Sequence, residues 1–390
     1  MKRAMLTVLL AGMMLSTGCA KSKAKPEALK AGETKAFSIL PDWCPNPDGV
    51  TVDKNDPTIM YLNSPNFVPN DKDEQKCGPD QKKKTRAVLC KVDPEGNVTK
   101  LWDYTAHPVT GWSGPMALDQ GSDGNLYIAD NQYFYAKNNQ SRVLRIVMEN
   151  GKAIREEVVA TGLKLSNAVM IKDDKVYISD TFFDVNNKEG NHLSGIYCFD
   201  IKELDAAKPV AVKPFKSETD HDSHLVCTLN TRPRSRGDIA GADGIAFDKQ
   251  GLMYCGAFGD GRIWQFTLDA AGKKAVSSKV LIDDKDTQCC DGMRLDPEKN
   301  IIYFCDSQGN AIKAFTPSGQ LWTVAQNGDN DGSTGLDQPA EVIIFAGQIV
   351  AVNFDFSFPG LTNTGNDKPY SLTAMGLEAA RAGMPKPAAK

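Results

Sequence analysis

Apolar positions along this chain fall into short extended runs, and six of those runs share one pattern. They open at Asp48 (PDGVTVD), Gly114 (SGPMALD), Asn167 (SNAVMIK), Asp243 (ADGIAFD), Asp291 (CDGMRLD) and Glu341 (PAEVIIF), so five of the six begin on an acid or an amide. A second apolar run follows each opening 8 to 12 residues later: MYLNS, LYIAD, VYISD, MYCGA, IYFCD and IVAVN. Turn residues such as Asn-Asp-Pro, Asp-Gly-Asn and Lys-Gln-Gly separate the two, which predicts a β-hairpin in each unit. A third run follows in most units, at Ala87, Arg142, Gly195, Arg262 and Ala311, and in several a further turn leads to a fourth. Four antiparallel strands per unit, repeated every 48 to 76 residues, predict an all-β, six-bladed β-propeller. A sandwich needs about seven strands, far fewer than the two dozen or so implied here. The recurring Gly-His, Trp-Asp and double-Gly signatures of other propeller types are missing: Trp-Asp occurs once, at Trp102-Asp103. Although 390 residues would allow two domains by length alone, the repeat argues for one.

In a propeller the first strand of every blade lines the central channel. Its opening residue therefore lies at the channel mouth, and the antiparallel second strand ends there too. Asp130, Asp180, Asp306 and Asn353 are accordingly expected at the rim. So are the loops that follow the second strands, and the linker at about 217–240 with Asp220, His221, Asp222, His224 and several arginines. Carboxylates and an amide crowded onto one axis resist ionisation unless a cation compensates them. An all-oxygen set in irregular geometry suits Ca²⁺. Asp48, Asn167, Asp243 and Glu341 are the expected ligands. Each Asp-Gly or Asn-Ala opening taken singly is also ordinary turn chemistry. Bound Ca²⁺ would act as a Lewis acid on a carbonyl or phosphoryl oxygen, with Asp243, and Asp291 second to it, as the proton-accepting or attacking carboxylate. Trp112, Phe182 and Phe258, with Phe134, are candidate apolar walls for a small-molecule substrate.

The N-terminus reads as an export signal: Lys2 and Arg3, an apolar stretch from Ala4 to Leu15, then Ser-Thr-Gly-Cys ending at Cys19. That stretch is too short to span a bilayer, and small residues before a cysteine resemble a bacterial lipoprotein box with Cys19 lipidated. The expected organisation is residues 1–19 as signal and lipidated cysteine, 20–38 as a flexible tether, 39–370 as propeller and 371–390 as a tail. The expected location is the bacterial cell envelope, facing the periplasm or the cell surface, with membrane contact only through the lipid. With a net charge of −4 and no basic stripe, nucleic acid is not expected as a partner. Nine further cysteines are an odd number, and Cys77 with Cys90, flanking a polar loop, is the first candidate disulfide.

The motifs SNAV at 166–169, ADGIAFD at 242–248 and PAEVI at 339–343 resemble the senescence-marker-protein/gluconolactonase family, related to regucalcin, over about residues 40–356. The resemblance implies a divalent ion held by a first-blade Glu, a middle-blade Asn and the Asp of an Asp-Gly blade, that Asp being implicated as base in lactone hydrolysis. Asn167 and Asp243 match directly. Asp48 replaces the Glu, a shorter side chain that shifts the ion or leaves a ligand position to water. Gly114 stands where many relatives carry a polar second-blade residue, and Ser113 is the neighbouring substitute for substrate contact. A calcium-dependent hydrolase of lactone or ester type is thus the first expectation. A non-catalytic ligand- or protein-binding propeller with a structural channel ion is the alternative.

Overall fold

The computed structural model describes residues 28–67, 86–232, 239–356 and 361–386; the expected lipidation site Cys19 and the expected disulfide partner Cys77 lie outside them. Six antiparallel sheets, here blades 1 to 6, surround a channel. Their inner strands are Val50–Val52, Pro115–Gln120, Ser166–Lys172, Ala242–Phe247, Met293–Asp296 and Pro339–Phe345. Each pairs antiparallel with the strand that follows it in sequence. The six-bladed propeller expected from the repeat is the architecture observed.

Hairpins form where the sequence supplies an Asp at the strand end. Asp53 accepts from the backbone N–H of Asn55 and Asp56, Asp248 from Gln250 and Leu252, and Asp296 from Glu298 and Lys299. A side-chain acceptor two to four residues back is what closes such turns. The same carboxylates serve the recurring tyrosines: Tyr61 donates to Asp53 and Tyr254 to Asp248 (2.9 Å). Tyr61, Tyr127, Tyr177, Tyr254 and Tyr303 are all buried between blades, where each ring removes a large apolar area from water.

The ring closes at blade 6, and here the expected domain limits change. Ser371–Gly376, placed in a tail by the sequence, is the third strand of blade 6, and Thr34–Ile39, placed in a tether, is its outer strand. A long connection (354–370) separates this third strand from its hairpin, and that distance hid it. Helix Leu377–Ala382 then docks rather than trailing away: Leu377 and Ala380 are buried, Trp322 donates to the Ala380 carbonyl, and the Arg381 guanidinium forks onto Asp296 at 2.7 and 2.9 Å. Between the third and fourth strands of blade 3, residues 201–224 reach back to blade 2. Val210–Ala211 pairs parallel to the outer strand Lys152–Leu163, and Leu204, Val212 and Phe215 are buried in the adjoining core. The exposed ladder of that edge strand is thereby partly covered.

The Asp-Gly openings have a packing cause as well as a turn cause. A Cβ on Gly49 would stand 2.4 Å from Ala117 Cα, and one on Gly244 would stand 2.3 Å from the Asp291 carbonyl oxygen. Both contacts are to the backbone of the next blade, which cannot rotate away. Gly244→Ala is therefore expected to lower stability by about 1–3 kcal/mol, measured as a fall in the urea midpoint with unchanged slope. An unchanged midpoint would contradict this close approach of blades 4 and 5.

Candidate functional site at the channel mouth

Local irregularity aims the site residues. In blade 3, Ser166 pairs with Asp180 but the next pair is Val169 with Ile178, and Asn167 lies in the shift. In blade 4, Asp243 lies between the pairs Ala242–Ala257 and Ile245–Cys255. Such bulges turn a side chain out of the strand's regular alternation. Asp48 and Asp291 precede their inner strands and are tied by their N–H groups to the carbonyls of Asn63 and Cys305, both at 2.9 Å. All four side chains line one cavity of about 400 Å³, together with Phe134, Phe182, Phe258 and Phe354. Within it the Asn167 amide donates to Asp243 Oδ2 at 2.7 Å.

Burial and mutual repulsion dominate the electrostatics. Desolvation, then Asp291 and Glu341, raise the Asp48 carboxyl well above the usual range. Desolvation, then Asp243 and Glu341, do the same to Asp291, against the N–H of Gly292 and the Ser307 hydroxyl, which favour its anion. No described Lys, Arg or His lies within 4 Å of Asp48 or Asp291. Glu341 behaves differently. It does not line the mouth cavity: its Oε2 faces Arg294 Nη2 at 3.7 Å, deeper in the channel, and burial raises it to about 7 although Arg294 pulls the other way. Arg294 in turn lines the cleft at the opposite end of the channel with Asp119 and Lys54. The four expected ligands therefore divide into three at the mouth and one below.

The donor set fits a hard cation in kind. Asp48, Asp243 and Asp291 are all oxygen donors, Asn167 would present its Oδ1 after rotation of the amide, and a divalent ion would relieve the repulsion that raises Asp48 and Asp291. Among the described residues no three Asp, Glu, His or Cys side chains converge tightly enough to hold a metal by themselves, so Asn167 and water would complete such a shell.

The carboxylates that end the second strands do other work. Asp130 accepts from the Gly114 N–H (2.7 Å), Asp180 from Lys164 (3.0 Å) and Leu165 (2.7 Å), and Asp306 from Gln288 and Cys289. Each clips the segment leading into its own blade's inner strand. Arg142 and Lys313 neutralise Asp130 and Asp306 at 2.6 and 2.9 Å. Gly195 stands opposite Asp180, and burial raises that carboxyl to about 6. No side chain fits at Gly114, where a Cβ would meet the Asn131 carbonyl oxygen at 2.2 Å. Ser113 is buried with an unpartnered hydroxyl, and Trp112 stacks on Tyr135 (centroids 5.0 Å); neither lines the cavity, whereas Phe182 and Phe258 do.

Asn131 and Tyr133 are among the cavity residues not singled out individually from sequence. Asn131 reaches the cavity with a buried, unpartnered Nδ2, and Tyr133 stacks on Phe182 with centroids 4.9 Å apart and Lys137 Nζ 3.3 Å above its ring. Their position directly after the second strand of blade 2 was the available signal. Asp222 and His224, by contrast, pair with each other at 2.6 Å beside Phe199 on the edge of blade 3, away from the mouth. Cys90 faces Cys44, with the two sulfurs 3.8 Å apart.

An all-β propeller with an acidic, aromatic-rimmed channel mouth is the class that fold and site define. No protein-family model and no curated protein matches the sequence. Solved structures do. A gluconolactonase from Xanthomonas campestris superposes with a TM-score of 0.50 at 11% identity, covering 89% of this chain and 94% of its own. Regucalcin from Agrobacterium tumefaciens, a calcium-binding protein, gives 0.52 at 13% identity, covering 88% and 93%. An auxiliary nutrient-binding protein from Bacteroides thetaiotaomicron gives 0.53 at 10% identity, covering 87% and 75%. At these identities the likeness establishes the fold: the six-bladed propeller of gluconolactonases and regucalcin.

The raised carboxyls give a signed expectation. A group whose folded pKa lies above its unfolded value is fully tolerated at low pH and destabilises the fold as pH rises through the folded value. With a chelator present, stability is expected to fall from about pH 4.5 to about 7 through Glu341, and further through Asp48 and Asp291. Asp48→Asn should therefore raise the melting temperature at pH 8 and leave it unchanged at pH 4. Melting curves at the two pH values check this, and equal shifts at both would contradict it.

Proposed function

We propose that the channel mouth is the active site of a calcium-dependent hydrolase acting on a lactone or ester. The observation that carries this reading is the convergence of Asp48, Asn167, Asp243 and Asp291 on a single aromatic-rimmed cavity. Gluconolactonase and calcium-binding regucalcin among the structural neighbours support it. A bound calcium ion would supply Lewis-acid polarisation of the substrate carbonyl. Asp243, held in orientation by the Asn167 amide, would accept the proton of an attacking water. Asp291, the second candidate for that carboxylate, lines the same cavity and would offer the ion a further oxygen donor. The Phe182, Tyr133 and Phe258 rings would cover the apolar part of the substrate and keep bulk water out. Hydrolysis of a lactone and ester panel by the purified protein is expected to fall at least about 100-fold on chelation and in Asp243→Ala. Activity indifferent to both would remove the assignment.

The aromatic rim also favours a second reading, a binding propeller like the nutrient-binding neighbour, with the ion structural. A thermal shift on chelation with no turnover on any substrate would select it. We further propose that the protein works in the bacterial cell envelope as a lipoprotein anchored through Cys19. Labelled palmitate should enter the wild-type chain and not Cys19→Ser; equal labelling would exclude the anchor.

A further inference from the structure

Blade 6 carries a second concentration of acids, away from the channel axis. It forms where the loop opening the blade (327–338) meets described parts of the connection after the blade's second strand (354–356 and 361–370). Asp337 and Asp355 are 98% and 99% buried, being only 2% and 1% exposed. Each leaves one carboxylate oxygen, Oδ1, buried with no hydrogen-bond partner. Their other contacts hold them in place: Asp355 Oδ2 accepts the Asp367 N–H at 2.9 Å, and Asn363 hydrogen-bonds to Asp337. Asp367, Asp329 and Asp331 add negative charge around Asp337, and Asp337 and Asp367 do so around Asp355. No described Lys, Arg or His lies within 4 Å of any of the five. Burial and this repulsion raise Asp337 to about 8 and Asp355 to about 9.

Two buried carboxylate oxygens from different loops, each without a donor, are destabilising unless a proton or a cation meets them. The loop sequence speaks for a cation. Asn327, Asp329 and Asp331 alternate and are followed by Gly332 at φ 69°, the alternation and glycine turn of an oxygen-ligand calcium loop. Gly332 is required there, since a Cβ would lie 2.7 Å from Asp337 Oδ2. Asp329 and Asp331 are occupied at the rim, accepting from Thr364 and Ser333. We propose that a hard divalent cation of the calcium class binds between Asp337 and Asp355 and ties the two loops of blade 6 together. Because no three acidic side chains converge here, the two carboxylates supply part of the shell, and amide, main-chain and water oxygens the rest. Gln338 and Phe354, the sequence neighbours of this pair, line the mouth cavity. The ion would thus fix one wall of that cavity from behind.

Calcium titration of the full chain by calorimetry, after chelation, tests this. The Asp337→Asn, Asp355→Asn double variant is expected to bind one Ca²⁺ fewer per chain than wild type. It should melt below wild type in calcium but at or above it in chelator, because neutral amides replace repelling acids. Asp243→Asn, which addresses the channel, should keep the blade 6 ion, so failure of one site is distinguishable from failure of the other. If the double variant cannot be purified, amide hydrogen exchange of wild type and Asp243→Asn supplies the readout. Calcium should slow exchange at 329–338 and 361–367 in both. Equal stoichiometry in wild type and double variant, or exchange in these segments indifferent to calcium, would overturn the proposal.

Discussion

The side-chain clip that ends the second strand in five of the six blades is the interaction on which the rest of the molecule depends. A propeller blade must begin its inner strand at one height and one angle, because six such strands share a single axis. Here a buried side chain of the second strand sets that start by accepting N–H groups of the approaching segment: Asp130 for Gly114, Asp180 for Lys164 and Leu165, Asp306 for Gln288 and Cys289, Asn353 for Asp337. Ser64 makes the equivalent bond in the donor sense, to the Pro45 carbonyl. Without these acceptors the N–H groups would be buried unpaired, at a cost comparable to the loss of a full hydrogen bond each. The clip and the residue it positions are separate. Asp180 holds the chain, and Asn167, two residues past the clipped Leu165, faces the cavity.

That separation explains which part of the site was legible in the sequence. The repeat placed Asp48, Asn167, Asp243 and Asp291 at one height because strand periodicity and antiparallel pairing leave no freedom there. Rim acids could not be sorted by function in the same way, since a clip and a ligand are both an Asp at the end of an apolar run. The third strands held the discriminating signal: Arg142, Arg262 and Lys313 each sit where they neutralise a rim acid, at Asp130, Asp260 and Asp306. Asp48 and Asp291 have no such cation among the described residues. A rim acid with a basic residue at the start of the next strand is structural, but Asp180, which clips Lys164 and Leu165 opposite Gly195, shows that lacking one does not by itself mark a ligand position.

Glu341 was misplaced by one residue of register. Pro339 pairs with Asn353 as Ser166 does with Asp180 and Ala242 with Ala257, so Ala340, not Glu341, takes the position of Asn167 and Asp243. Glu341 lies one residue further along the strand, where its side chain faces Arg294 and its Oε1 accepts the Val342 N–H. The blade 6 limits escaped the sequence because strand pairing across the termini is non-local: Thr34–Ile39 finds Ser371–Gly376 only once the ring is complete. Such contacts leave no short-range pattern, and they cost loop entropy before they reward it.

Closure at blade 6 also bears on the mouth. Its inner hairpin carries Glu341, its opening loop carries Gln338, and its long connection carries Phe354; the last two line the cavity. The Asn46 amide reaches across from the start of the chain to the carbonyls of Phe354 and Asp355, both at 2.9 Å, so the connection is held from the N-terminal side as well. A wall built from the blade that joins the two ends of the chain is as rigid as that joint. Anything that tightens it, an ion between its loops included, acts on the cavity without touching the ligand. The acids of blade 6 and those of the channel are thus two independent charge problems in one ring, solved at different radii.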